Sequence, residues 1–128
     1  MEAINEARRH IDNAKDFLSN NAKKQDGMYQ DKKYVKIAGH TAYTGILLAL
    51  NEFLGEKNMK TPKSVEWYQM ELSKLDKTLL ARFSTAYQLL HIDMGYQGVR
   101  SARIASVGLE EAEKIISWVE TRLEKTQH

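Results

Sequence analysis

Apolar residues recur along the chain at steps of three and four. Ile4, Ala7, Ile11, Ala14 and Leu18 form one such stripe, widened by Phe17. That spacing lines a single helix face and predicts a first helix over residues 2–22. Asn20, Asn21 and Gly27 mark its end and the loop beyond. A second helix is predicted over 31–54. Asp31 suits its N-cap, because the carboxylate can accept from free amides of the first turn. From Ile37 to Leu54 this segment is apolar on most sides, so it should be the most buried helix. Ala38, Ala42, Gly45 and Ala49 give it a stripe of small side chains, where a neighbour can approach closely. Gly55 suits the left-handed residue that follows the last turn.

Tyr68, Leu72, Leu75, Leu79, Phe83, Ala86 and Leu90 carry a third stripe. It starts at Thr61 and Pro62 or at Ser64, both good N-terminal signals, and runs to Asp93. As one helix it would be ~45 Å long, against ~28–36 Å for the others. The mismatch predicts a kink or break near 73–77, with Asp76 capping the second piece, or an overhanging first turn or two. Leu109, Ala112, Ile116, Val119 and Leu123, with Ile115 beside them, predict a fourth helix over 109–125. Glu110, Glu111 and Glu113 would sit in its first turns, where the helix dipole favours negative charge. Together these predict an all-α protein: one domain over 1–128, folded as an antiparallel up-down-up-down four-helix bundle.

That topology places the 23–30 and 94–107 connections at one end. Residues 22–36 hold Lys23, Lys24, Lys32, Lys33 and Lys36 against Asp26 and Asp31, and 94–107 hold Arg100 and Arg103 with no acid. A basic end is therefore expected although the whole chain carries only +2, from 19 basic and 17 acidic residues. The near balance excludes a strongly basic nucleic-acid binder but not a local patch. The 94–107 segment reads as a long connection, a kind often functional. Either it presents Tyr96, Arg100 and Arg103 to an anion or RNA, or it is an ordered crossover packing Val99 and Ile104.

The absence of cysteine excludes disulfides, thiolate metal sites and cysteine catalysis. The first residues do not read as a signal peptide. The longest apolar run, 45–50, is far too short to span a membrane, so a cytoplasmic protein is expected. His91 and Asp93 end the third helix. They read as an acid–base pair or phosphate contact, or His91 binds the last carbonyls of its helix. His10 and His40 fall on adjacent helices and could lie level. The Glu-x-x-His pattern of di-iron bundles does not occur, so no metal and no cofactor is expected. Trp67 and Trp118 read as packing residues. No phosphate loop and no hydrolase or zinc-protease motif is present.

Ala42 and Tyr43 followed by Gly45, Ala49, Phe53 and Leu54, then the run from Leu89 through His91 and Asp93 to Tyr96, and Glu110 to Glu113 opening the last helix, resemble the HEPN superfamily. These are small helical bundles that include toxin ribonucleases and partners of minimal nucleotidyltransferases. The likeness covers about residues 36–123. Ribonuclease members carry an arginine, four to six residues, then a histidine. Here His91 stands roughly where that arginine would, and Tyr96 follows. The resemblance implies a non-catalytic branch, often dimeric. Three functions are expected from these observations. The first is a non-enzymatic interaction module, as a homodimer or the partner of another small protein. The second is a nucleotide- or RNA-binding bundle using His91, Tyr96, Arg100, Arg103, Lys32 and Lys33. The third is a degenerate ribonuclease with His91 and Tyr96 at its site.

Overall fold

A computed structural model describes residues 2–55 and 63–126. The protein is all-α apart from one small hairpin. Helix α1 (Glu2–Asp16) continues as a π-helical segment, Phe17–Ala22. Strands β1 (Lys24–Gln25) and β2 (Met28–Tyr29) form the hairpin. Then come α2 (Lys32–Leu54), α3 (Val65–Ser73) and α4 (Lys77–Ala86). A second π-helical segment, Tyr87–Tyr96, extends α4, and α5 (Ala102–Thr126) closes the chain.

The predicted stripes become the core. Ile4, Ala7, Ile11, Ala14 and Leu18 are all buried, as are Ala38, Ala42, Ile46, Ala49 and Leu50 of α2. Helix α2 lies in the middle, packed against α1, α5 and the second π-helical segment. Its small residues permit this. A Cβ on Gly45 would stand 2.9 Å from the Ala7 carbonyl oxygen, and one on Gly39 only 2.4 Å from that of Leu90. The buried polar residue Asn51 accepts a 2.6 Å hydrogen bond from the Tyr68 hydroxyl, tying α2 to α3.

The caps follow the predicted chemistry. Asp31 accepts from the Lys33 amide at 3.0 Å, and Gly55 takes the left-handed conformation at φ 77°. The long third helix is broken where its length demanded. Residues 74–76 leave the helix, and Asp76 starts α4 by accepting from the Leu79 amide at 2.8 Å. Leu75, counted in the apolar stripe, falls in this break and is 45% exposed. Of the two starts considered for α3, Ser64 is its N-cap, accepting from the Trp67 amide; Thr61 and Pro62 lie outside the described residues.

Two expectations need correction. The 23–30 loop contains a hairpin, turned at Asp26 and Gly27 with φ of 53° and 78°. An Asp-Gly pair is a recognised signal for such a turn. The 94–107 connection is not a long loop. Helical structure runs through Tyr96 and resumes at Ala102, so the turn spans only 97–101. Helix α5 starts early because Ser101 accepts from the Ile104 amide and Ala105 extends the buried stripe back from Leu109. Glu110, Glu111 and Glu113 therefore lie beyond the first turn, which carries no acid.

Candidate functional site

The hairpin and the 97–101 turn meet. Met28 pairs with Ser101. The Tyr29 amide donates to the Arg100 carbonyl at 2.8 Å, and the Ala102 amide to the Gly27 carbonyl at 2.9 Å. These bonds set β1, β2 and the start of α2 beside the start of α5.

Beside this junction the second π-helical segment builds an aromatic cluster. In an α-helix each residue turns about 100°, so residues five apart point about 140° away from each other. A π-helix bonds each amide five residues back, which brings His91 and Tyr96 onto one face. Their ring centroids lie 4.9 Å apart, edge to face. The Tyr87 ring lies 5.4 Å from that of His91, tilted by 34°. Helix α2 supplies the facing rings. Tyr43 lies 4.5 Å from His91, and His40 lies 5.2 Å from His91 and 5.3 Å from Tyr96. Two glycines allow so close an approach. A Cβ on Gly95 would meet the His40 ring at 2.7 Å, and Gly39 abuts Leu90, Met94 and Gly95. The cluster continues inward through Phe83 and Tyr68. At its outer edge Tyr96 is 63% exposed.

The His91 Nδ1 is sealed from solvent and has no hydrogen-bond partner. Burial, and then repulsion from His40, hold the His91 pKa below its ordinary value. Burial, with the neighbouring Tyr87 and Tyr68, raises that of Tyr43. His91 thus favours the neutral imidazole. His91 is neither paired with Asp93 nor bonded to the last carbonyls of its helix. Its helix does not end there, and the final carbonyls are met by backbone: Gln97 donates to Ile92 and Gly98 to Met94. Asp93 accepts from the Gln88 side chain at 2.9 Å instead of serving His91. The sequence reading missed the roles of His40, Tyr43 and Tyr87. Their signal was local: His40 and Tyr43 are one helical turn apart, as are Tyr87 and His91.

The remaining predicted residues lie at the start of α2, in the 97–101 turn and at the start of α5. Lys32 and Lys36 lie over Gly98, where a Cβ would come within 2.6 Å of the Lys32 chain. The Lys33 ammonium sits 5.3 Å from the Tyr34 ring centre. Arg100 joins the hairpin through its backbone, and its side chain and that of Arg103 are exposed. Among the described residues, no ion pair involves Lys23, Lys24, Lys32, Lys33, Lys36, Arg100 or Arg103. Of the nearby acids, Asp31 caps α2 and Asp93 holds Gln88. His10 is elsewhere. Its ring bonds the Glu6 carbonyl and its Cβ faces Gly45, so it is not level with His40. No group of three or more metal-ligating side chains occurs among the described residues. None of the described helices is long and apolar enough to cross a membrane.

Residues 2–121 match the model of a domain of unknown function, DUF5618. Curated proteins show no match. Among solved structures, a protein of unknown function from Dyadobacter fermentans is similar, at 48% identity and a TM-score of 0.88. The similarity covers 95% of this chain and 96% of that one. On this agreement in sequence and fold over nearly the full length, the chain belongs to the DUF5618 family.

Proposed function

We propose that this protein is a non-enzymatic recognition module that binds a phosphate-bearing anion, RNA or a nucleotide, at its hairpin end. One observation carries the reading: basic residues of the hairpin, α2, the 97–101 turn and α5 gather there with no ion-pair partner among the described residues. Unpaired cations at one end create a local positive potential despite a near-neutral chain. Exposed Tyr96, backed by His40 and His91, adds a ring face on which a base could stack. The reading stops at binding because Asp93, the carboxylate two residues from His91, accepts from the Gln88 side chain and forms no acid–base pair with the imidazole.

In the same reading α1, α2, the α3–α4 arm and α5 are the legs of an antiparallel four-helix bundle of HEPN type, forming one cytoplasmic domain. The central position of α2 supports that arrangement.

The test is a titration of labelled single-stranded RNA, and separately of a nucleotide, at low salt and again at raised salt. Binding should weaken steeply with salt, because each neutralised phosphate releases counterions. Replacing Arg100 and Arg103 together by alanine should flatten the slope of log K against log salt. The change should be about 0.7 for each single-strand phosphate that the arginines neutralise in the wild-type complex. No binding at low salt, or binding indifferent to those substitutions, would end the reading.

A further inference from the structure

Helix α5 carries a second surface, away from the His91 cluster. A shallow groove of about 550 Å³ runs along it, lined by Arg82 of α4 and by the α5 face from Glu110 to Lys125. The groove's acids, Glu110 and Glu113, lie in the first half of its α5 face, beside Lys114, and Arg122 and Lys125 lie in the second. Between them sit Ser117 and the half-buried Trp118, whose ring packs edge-on against Phe53.

The two halves are equivalent in the sense an antiparallel helix pair requires. When two copies of one helix pack antiparallel about a two-fold axis, residue i meets residue j with i + j constant. With the axis between Ser117 and Trp118, Glu110 faces Lys125, Glu113 faces Arg122, and Ser117 faces Trp118. All three pairs share one sum. The outer charges lie ~11 Å from the axis along each helix. The acids already hold surface partners: Glu110 pairs with Lys114 at 3.0 Å, and Glu113 with Lys15. Such exposed pairs are weak and easily exchanged. The cations have none. Among the described residues neither Arg122 nor Lys125 takes part in an ion pair. Arg122 lies instead over the Trp118 ring, 4.8 Å from its centre. A tryptophan and an arginine near the centre, with charges at the rim, is the usual composition of a protein–protein contact.

We infer that this face of α5 is the interface of a homodimer, in which α5 packs antiparallel on its own copy about an axis beside Trp118. The inference does not rest on anion binding at the hairpin end. The contact is one helix pair, at the small end of specific interfaces, so the dimer should be weak and its dissociation constant micromolar.

Sedimentation equilibrium across the micromolar range tests it, with charge exchanges at two exposed positions. Glu110→Lys and Lys125→Glu lie on solvated helix surface, and circular dichroism checks that each variant stays folded. The wild-type chain should be a concentration-dependent dimer. Each single exchange places like charges opposite each other twice per dimer, and should weaken association by about tenfold or more. Combining both exchanges in one chain, or mixing the two single variants, should restore it. A monomer up to about 1 mM would overturn the inference. So would a dimer indifferent to the single exchanges, or a loss that neither the combination nor the mixture repairs.

Discussion

At the residue scale, His91 concentrates the site's physical tension. A half-buried aromatic side chain is ordinary, but a sealed ring nitrogen without a partner costs about 1–3 kcal/mol relative to a satisfied one. The same surroundings lower its pKa, chiefly through burial and then through His40, while Tyr43, Tyr87 and Tyr96 offer rings but no carboxylate. The unfolded chain, with His91 near its ordinary value of 6.5, therefore binds this proton at higher pH than the folded chain does. Stability from His91 is complete above that value. It is lost as pH falls from there toward the lowered, folded value. Denaturant midpoints measured at intervals below pH 7 should fall accordingly. His91→Phe keeps a ring in the cluster but removes the proton site, so its curve should be flatter than wild type over that interval. At neutral pH the variant should be as stable as wild type or more so. Parallel curves for the two proteins would contradict this role of His91.

At the element scale, the departure from the α-helix is what assembles the cluster. Continued as an α-helix, the chain after Ala86 would turn Tyr96 away from His91. Apolar spacing could not show this, because the stripe through Phe83, Ala86 and Leu90 is equally regular in either form up to that point. The change of hydrogen-bond register depends on tertiary packing, above all on Gly39 and Gly95 meeting back to back. By contrast, the helices themselves, the burial of α2, the Asp31 and Ser64 caps and the break at Asp76 were legible from spacing and capping chemistry. The early start of α5 was hidden by Gly108, which reads as a loop residue but instead lies against Leu90. Two substitutions separate these levels. Asp76→Ala removes one cap and should cost about 1 kcal/mol in chemical denaturation. Gly39→Ala forces a Cβ against a backbone oxygen that has no rotamer to yield, and should cost about 1–3 kcal/mol or more. A Gly39→Ala protein as stable as wild type would mean that α2 and the π-helical segment are not so closely apposed.

At the scale of the whole molecule, charge is distributed by partner. Among the described basic residues of the helical shaft, Arg8, Arg9, Lys15, Lys74, Arg82 and Lys114 take part in ion pairs, while Lys77, Arg122 and Lys125 do not. At the hairpin end none of the described basic residues does. A formal charge of +2 conceals that asymmetry, which appears only when the fold brings residues 23–36 and 100–103 together. The unpaired cations of α5 lie on a different face and match that helix's own acids. The two proposed associations, with a polyanion and with a second copy of the chain, thus draw on different sets of charges. Raised salt should weaken both associations, since neither set of charges is deeply buried.

The hairpin end, with exposed Tyr96 at the edge of the His91 cluster, is proposed to recognise a phosphate-bearing anion. The most direct measurement is a titration of isotope-labelled protein with short single-stranded RNA at low salt, followed by NMR. Binding at this end should progressively shift the ring signals of Tyr96 and His40 and the backbone signals of Lys32, Lys33 and Arg100, and added salt should reverse those shifts. Unchanged spectra, or shifts confined to residues outside this end, would contradict it.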